Sequence, residues 1–177
     1  MRPMGSSVSK GLGTMVVSVV LLACSPALNW RDVRMGSLTA LLPCKPAKAQ
    51  RDVQLGKRLV PMELQACQTQ NTQFAMSHIA LQSPEQANEV VADWRVATLT
   101  NMRGTDVLEQ PYSVKGLPSQ AWAVQVAAQG IDANGSPVQA KLAWLVSGAH
   151  VYHLAAYGPK LTDDVTQPVF SDLRVSP

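Results

Sequence analysis

Two runs of alternating apolar side chains, joined by a short turn, constrain this chain more than any other feature of its sequence. Residues 120–131 place Trp122, Val124, Val126 and Ala128 on one face, and residues 137–147 do the same with Val138, Ala140, Leu142, Trp144 and Val146. A period of two is the signature of a strand with one buried face. Asp132-Ala133-Asn134-Gly135 between the runs is turn text, so the pair predicts a long antiparallel hairpin. Gly148-Ala149 then turns into a third strand at 150–157 (HVYHLAAY).

Upstream, residues 37–42 (SLTALL) predict a short strand ended by Pro43-Cys44-Lys45-Pro46, followed by a hairpin of 51–55 and 58–67 around Gly56-Lys57. In 58–67, Met62, Leu64 and Ala66 share a face, and Pro61 marks an edge or a bulge. Residues 72–81 (TQFAMSHIAL) complete this meander. The period then changes. Ala87, Val90, Val91, Trp94, Ala97, Thr98 and Met102 recur at three-and-four spacing, which predicts a helix over 84–103 with one apolar stripe. Ser83 stands at its N-cap with Pro84 at the first helical position, Gln86 is placed for a capping box, and Gly104 is placed to stop it. Residues 105–119 contain Pro and Gly and read as a loop; residues 162–173 predict a closing helix that buries Val165, Val169, Phe170 and Leu173. Three or four strands, a helix, three strands and a helix make an α+β fold: an antiparallel sheet with two packed helices covering one of its faces.

That order, with the strand running into a Pro-x-Lys-Pro turn (LLPCKP), the long helix after the first meander, the large hairpin and the short last helix, resembles the PsbP-like α/β/α sandwich. Bacterial DcrB-like lipoproteins share that sandwich with the photosystem PsbP subunit. The resemblance spans about residues 35–175, implies the fold, and carries no functional residues over.

The first residues read as an address. Arg2 and Lys10 form a positive start, and the apolar run from Leu12 to Ala23 is shorter than the roughly 20 residues a spanning helix needs. Leu21-Leu22-Ala23-Cys24 resembles the lipobox of bacterial lipoproteins, which implies cleavage before Cys24 and lipid attachment to its sulfur; Leu22 departs from the smaller or β-branched residue usual there. The other reading is an ordinary secretory signal cut near Ala27. The expected organisation is a signal peptide over 1–23, an anchor and linker over 24–35, and one α+β domain over 36–177, lipid-anchored in a bacterial envelope and facing the periplasm. Serine after the cysteine resembles the outer-membrane sorting pattern, so the outer membrane is expected over the inner.

Of 177 residues, 46% are hydrophobic and 15% charged, which is globular rather than disordered composition. Without the first 23 residues the chain holds 13 basic and 12 acidic side chains, a balance that argues against a nucleic-acid partner. Residues 31–58 are nonetheless basic, with Arg31, Arg34, Lys45, Lys48, Arg51, Lys57 and Arg58 against Asp32 and Asp52, and read either as solvated loops and strand edges or as a surface facing anionic lipid. Once Cys24 is lipidated, Cys44 and Cys67 remain, an even pair that in an oxidising compartment reads as one disulfide. Alternation puts Cys67 on the face of Glu63 and Gln65 while Cys44 continues that of Leu38, Ala40 and Leu42, so Pro43 is expected to turn Cys44 outward.

No catalytic constellation emerges. His150 and His153, three apart on a strand, fall on opposite faces and cannot chelate one ion; His78 alternates with Phe74 and Met76 as a partly buried strand residue. Asp163-Asp164 fits a helix start better than a calcium site. Trp94, Trp122 and Trp144 lie on core faces, and Trp30 suits either a membrane interface or the first strand. No metal, cofactor or catalytic residue is expected. Two functions follow: a non-enzymatic envelope lipoprotein, held to the membrane through Cys24, that presents its domain to an envelope protein partner; or a periplasmic carrier or chaperone with a small-ligand pocket between sheet and helices. A concave pocket lined by converging polar groups favours the second, a flat apolar patch the first.

Overall fold

The computed structural model describes residues 28–176. Its strands are β1 (Arg31–Met35), β2 (Leu38–Leu42), β3 (Ala47–Leu55), β4 (Arg58–Thr69), β5 (Thr72–Ala80), β6 (Thr105–Pro111), β7 (Trp122–Ile131), β8 (Pro137–Ser147), β9 (His150–Gly158) and β10 (Arg174–Val175). Its helices are α1 (Ala87–Asn101) and α2 (Asp163–Ser171). Seven strands form one antiparallel sheet in the order β3-β4-β5-β9-β8-β7-β6, and β1-β2-β10 form a small second sheet. The α+β class read from the sequence is the class observed.

The expected hairpin is present in full register, from Ile131↔Pro137 to Trp122↔Val146. Its turn is closed by Asp132, whose Oδ1 accepts the backbone N–H groups of Asn134 at 2.8 Å and Ser136 at 2.9 Å. The Gly56-Lys57 hairpin also forms, with Leu55 opposite Arg58. The chain order then folds back on itself: β9 returns to pair with β5, so the first meander and the long hairpin join in the middle of the sheet and α1 crosses one face to reach the far edge.

The sheet buries both faces, not the single face expected. On one side α1 sets Val90, Val91 and Trp94 against Val126, Leu142 and Trp144. On the other, α2 and the small sheet bring Leu38, Leu42, Val169 and Phe170 against Phe74, Met76, Leu145, Tyr152 and Leu154. This is why β9 is buried along nearly its whole length. It also dissolves the disulfide puzzle. Cys67 faces the second layer, where Leu42 already lies, and Cys44 meets it there with the two Cα atoms 5.9 Å apart. Gln65 on the same face is buried too, its amide donating to the Arg34 carbonyl at 3.0 Å. A second tie is the β1–β2 turn: Gly36, at φ +56, leaves no room for a Cβ beside the Tyr152 hydroxyl, which bonds Ser37.

Several boundaries differ from expectation for local reasons. Ser83 does not cap α1; its hydroxyl bonds the Glu85 carboxylate, Pro84–Gln86 form a 3₁₀ turn, and the capping box with Gln86 is not made. The helix ends in a Schellman pair, Arg103 N–H to Thr100 and Gly104 N–H to Leu99, with Arg103 rather than glycine in the left-handed region at φ 49. The stretch read as loop after Gly104 contains β6, an edge strand with every residue exposed, held by main-chain pairing to β7 and so without an alternation signal. The segment read as linker contains β1, and β10 follows α2.

Candidate functional site

The face of the sheet beneath α1 carries an unusual cross-strand row. Ala66 on β4 stands opposite Ala75 on β5, which stands opposite Ala155 on β9, three small side chains side by side in the register. Leu142 on β8 ends the row. The neighbouring row runs Leu64, Ser77, His153, Trp144, and the next on the other side runs Gln68, Gln73, Tyr157, Ala140. Methyl groups where a sheet normally places Val, Ile or Leu leave space under the helix. The result is a cavity of about 510 Å³, within the range of small-molecule sites.

Its floor is the alanine trough and its roof is α1, which contributes Trp94, Ala97, Thr98 and Asn101. Polar groups converge from both flanks. Ser77 and His153 face each other across β5 and β9, and Gln73 and Tyr157 do so on the other side of the alanine row. Charge is confined to the rim, where Arg51 and Asp132 are exposed.

His153 is the chemical centre of this surface. It is 6% exposed, stacks on Trp144 with ring centroids 4.6 Å apart, and meets Trp94 at 5.1 Å. Its Nε2 is buried without a hydrogen-bond partner, as are Trp144 Nε1 and Arg95 Nε in the same stack. Burial lowers the His153 pKa to about 3, so the ring is neutral at physiological pH. Burial likewise pushes the Tyr157 phenol up to about 12, leaving it protonated and able to donate. A neutral imidazole with an unmet nitrogen, in an apolar trough, is a hydrogen-bonding station rather than a charge.

The residues singled out from the sequence are distributed as follows. Cys44 and Cys67 are disulfide-bonded, and Cys24 lies outside the described residues. His150 and His153 do fall on opposite faces; His150 instead meets His78, with His78 Nε2 and His150 Nδ1 3.0 Å apart. Glu63 Oε2 lies 3.5 Å from the other nitrogen of His78, whose pKa is lowered chiefly by burial. Asp163 and Asp164 open α2 behind Thr162. Trp94 and Trp144 are buried, Trp122 is half-buried with Nε1 donating to Asn88 Oδ1 at 3.0 Å, and Trp30 packs against the α2 layer. In the basic segment, Arg34 and Lys48 line a second cavity of about 450 Å³ together with Glu63.

The trough itself escaped the sequence. Ala66 reads as one more apolar residue beside Met62 and Leu64, and only the register reveals that it adjoins Ala75 and Ala155. Among the described residues, no group of three or more His, Cys, Asp or Glu side chains is placed to hold a metal ion, and no helix is long and apolar enough to cross a membrane. No protein-family model matches the chain, and no curated protein matches it.

Proposed function

We propose that this chain is an exported, lipid-anchored envelope protein whose domain binds a small, mostly apolar and uncharged molecule in the trough beneath α1. The observation that carries the binding reading is the cavity of about 510 Å³ floored by Ala66, Ala75 and Ala155, with the unpartnered Nε2 of buried His153 beside it. A charged group placed there would lie against a neutral imidazole and alanine methyls with no counter-ion, at a cost of several kcal/mol. The ligand therefore offers one polar group to His153 or Ser77, lays its apolar body in the trough, and leaves any charge at the rim near Arg51.

The test is binding of the neutral dye Nile red, with mass spectrometry of whatever co-purifies with the protein. Ala75→Leu fills the trough and is expected to abolish dye binding, and His153→Gln to change affinity. Dye bound equally by Ala75→Leu overturns the reading.

The anchored address is supported by the Leu21-Leu22-Ala23-Cys24 sequence, with Cys24 seven residues ahead of β1. Intact mass and membrane fractionation of wild type beside Cys24→Ala test it: an acylated chain beginning at Cys24 sustains it, and a soluble, unacylated product removes it. Helices on opposite faces of one antiparallel sheet support placing the fold among PsbP-like sandwiches. The protein-partner reading keeps one specific support, the wholly exposed edge strand β6 with Leu108 72% exposed. Strand addition by an envelope protein fits that edge, and crosslinking from Leu108→Cys tests it.

A further inference from the structure

On the sheet face opposite the trough, we propose that His78 and His150 form a binding site for one divalent transition-metal ion, Cu(II) above all, with Glu63 orienting His78 from outside the coordination sphere. The site owes nothing to the ligand reading above and stands or falls separately from it.

The pairing register builds the cluster. Glu63 on β4 is directly opposite His78 on β5, and His78 is opposite Tyr152 on β9, two residues from His150 on the same face. The His78 ring is buried and stacks on Tyr152 at 4.6 Å, which fixes its plane, while His150 is exposed to solvent. The Glu63 carboxylate, 3.5 Å from His78 Nδ1, favours the proton on that nitrogen and leaves a lone pair on Nε2. A carboxylate behind the distal nitrogen of a ligating histidine is the arrangement that orients the ring and raises its basicity.

The spacing brings both nitrogens within reach of one ion. Two nitrogens bound to one ion at about 2.0–2.1 Å stand about 2.9 Å apart at a right angle and about 3.3 Å apart at the tetrahedral angle. His78 Nε2 and His150 Nδ1 are 3.0 Å apart, near the right-angled value. Tetragonal coordination by imidazole is the preference of Cu(II) and Ni(II), and the Irving–Williams order puts Cu(II) first. In the apo protein the short contact holds a shared hydrogen. His150, at the surface, opens the site by carrying its proton on Nε2 instead, which turns two lone pairs toward one ion. Among the described residues no third His, Cys, Asp or Glu is positioned to join them, and water completes the shell.

The experiment is titration of the purified full-length protein with Cu(II), read by calorimetry and by electron paramagnetic resonance. The expected result is one ion per chain with a tetragonal spectrum showing nitrogen ligands. His150→Ala, an exposed change that spares the fold, is expected to weaken binding at least about tenfold, and Glu63→Gln to weaken it several-fold with the spectrum type kept. No binding at high-micromolar copper, or an isotherm and spectrum unaltered by His150→Ala, overturns the proposal.

Discussion

The two faces of the seven-stranded sheet are drawn from the same strands and yet reach opposite solutions. On β5, Phe74 and Met76 point to the α2 side while Ala75 and Ser77 point to the α1 side. On β9, Tyr152 and Leu154 point one way and His153 and Ala155 the other. The α2 side is packed with large side chains of zero or near-zero exposure and is tied to the small sheet by a disulfide. The α1 side has comparable burial at its ends, around Ile79 and Trp144, and methyl groups in the middle. A protein that needs a cavity without losing its fold can place stability on one face and vacancy on the other, because alternation lets neighbouring residues answer to different partners.

The comparison is most severely tested on the filled side. Phe74→Ala removes a fully buried ring and is expected to cost about 3–5 kcal/mol in urea unfolding; a loss below 1 kcal/mol would mean that this face is not the stable one. Replacing Cys44 and Cys67 together by serine is expected to cost about 3 kcal/mol, given their separation of 23 residues, while leaving dye binding on the opposite face intact.

Acid separates the faces next. The unfolded chain takes up a proton at His153 near pH 6.5, whereas the folded protein resists until about pH 3. Between those values the unfolded state binds more protons, so stability falls as pH falls, with a slope from this residue approaching about 1.4 kcal/mol per pH unit. His78 contributes with the same sign, its pKa lowered by burial but partly held up by Glu63. His153→Gln should flatten the dependence measured by unfolding at pH 7, 6 and 5, and identical slopes in variant and wild type would show that the ring is not buried neutral. The smallest effect is expected at the trough: Ala75→Leu, at a partly exposed position of the row, should change stability by no more than about 1 kcal/mol, since its added volume enters existing space. A loss of several kcal/mol there would mean that the space is already filled by side-chain packing.

What could be read without coordinates was what the chain writes locally. The 120–147 hairpin, the α1 stripe and the Asp163-Asp164 helix start each rest on spacing within one element, and each is observed. β6 was missed because an edge strand with no buried residue has no pattern to show, and β1 because five residues beside a signal-like segment read as spacer. The second buried face was missed because Gln65 and Cys67 share a strand face with the exposed Glu63 and look like a solvent face until the small sheet covers them. The trough and the His78–His150 contact were invisible for a deeper reason. Both depend on register between strands some seventy to ninety residues apart, and nothing within one strand encodes its neighbour's alignment.

The placement of β1 has a mechanical consequence. A pull applied upstream of Leu28 acts on β1, whose one strand partner among the described residues is β2. Load applied there can peel the β1–β2 hairpin, but unravelling from that end stops at Cys44, which is covalently fastened to β4. The disulfide thus works as a stopper on a rope: about a dozen residues can pay out as slack under tension, and the seven-stranded sheet beyond the knot keeps its shape.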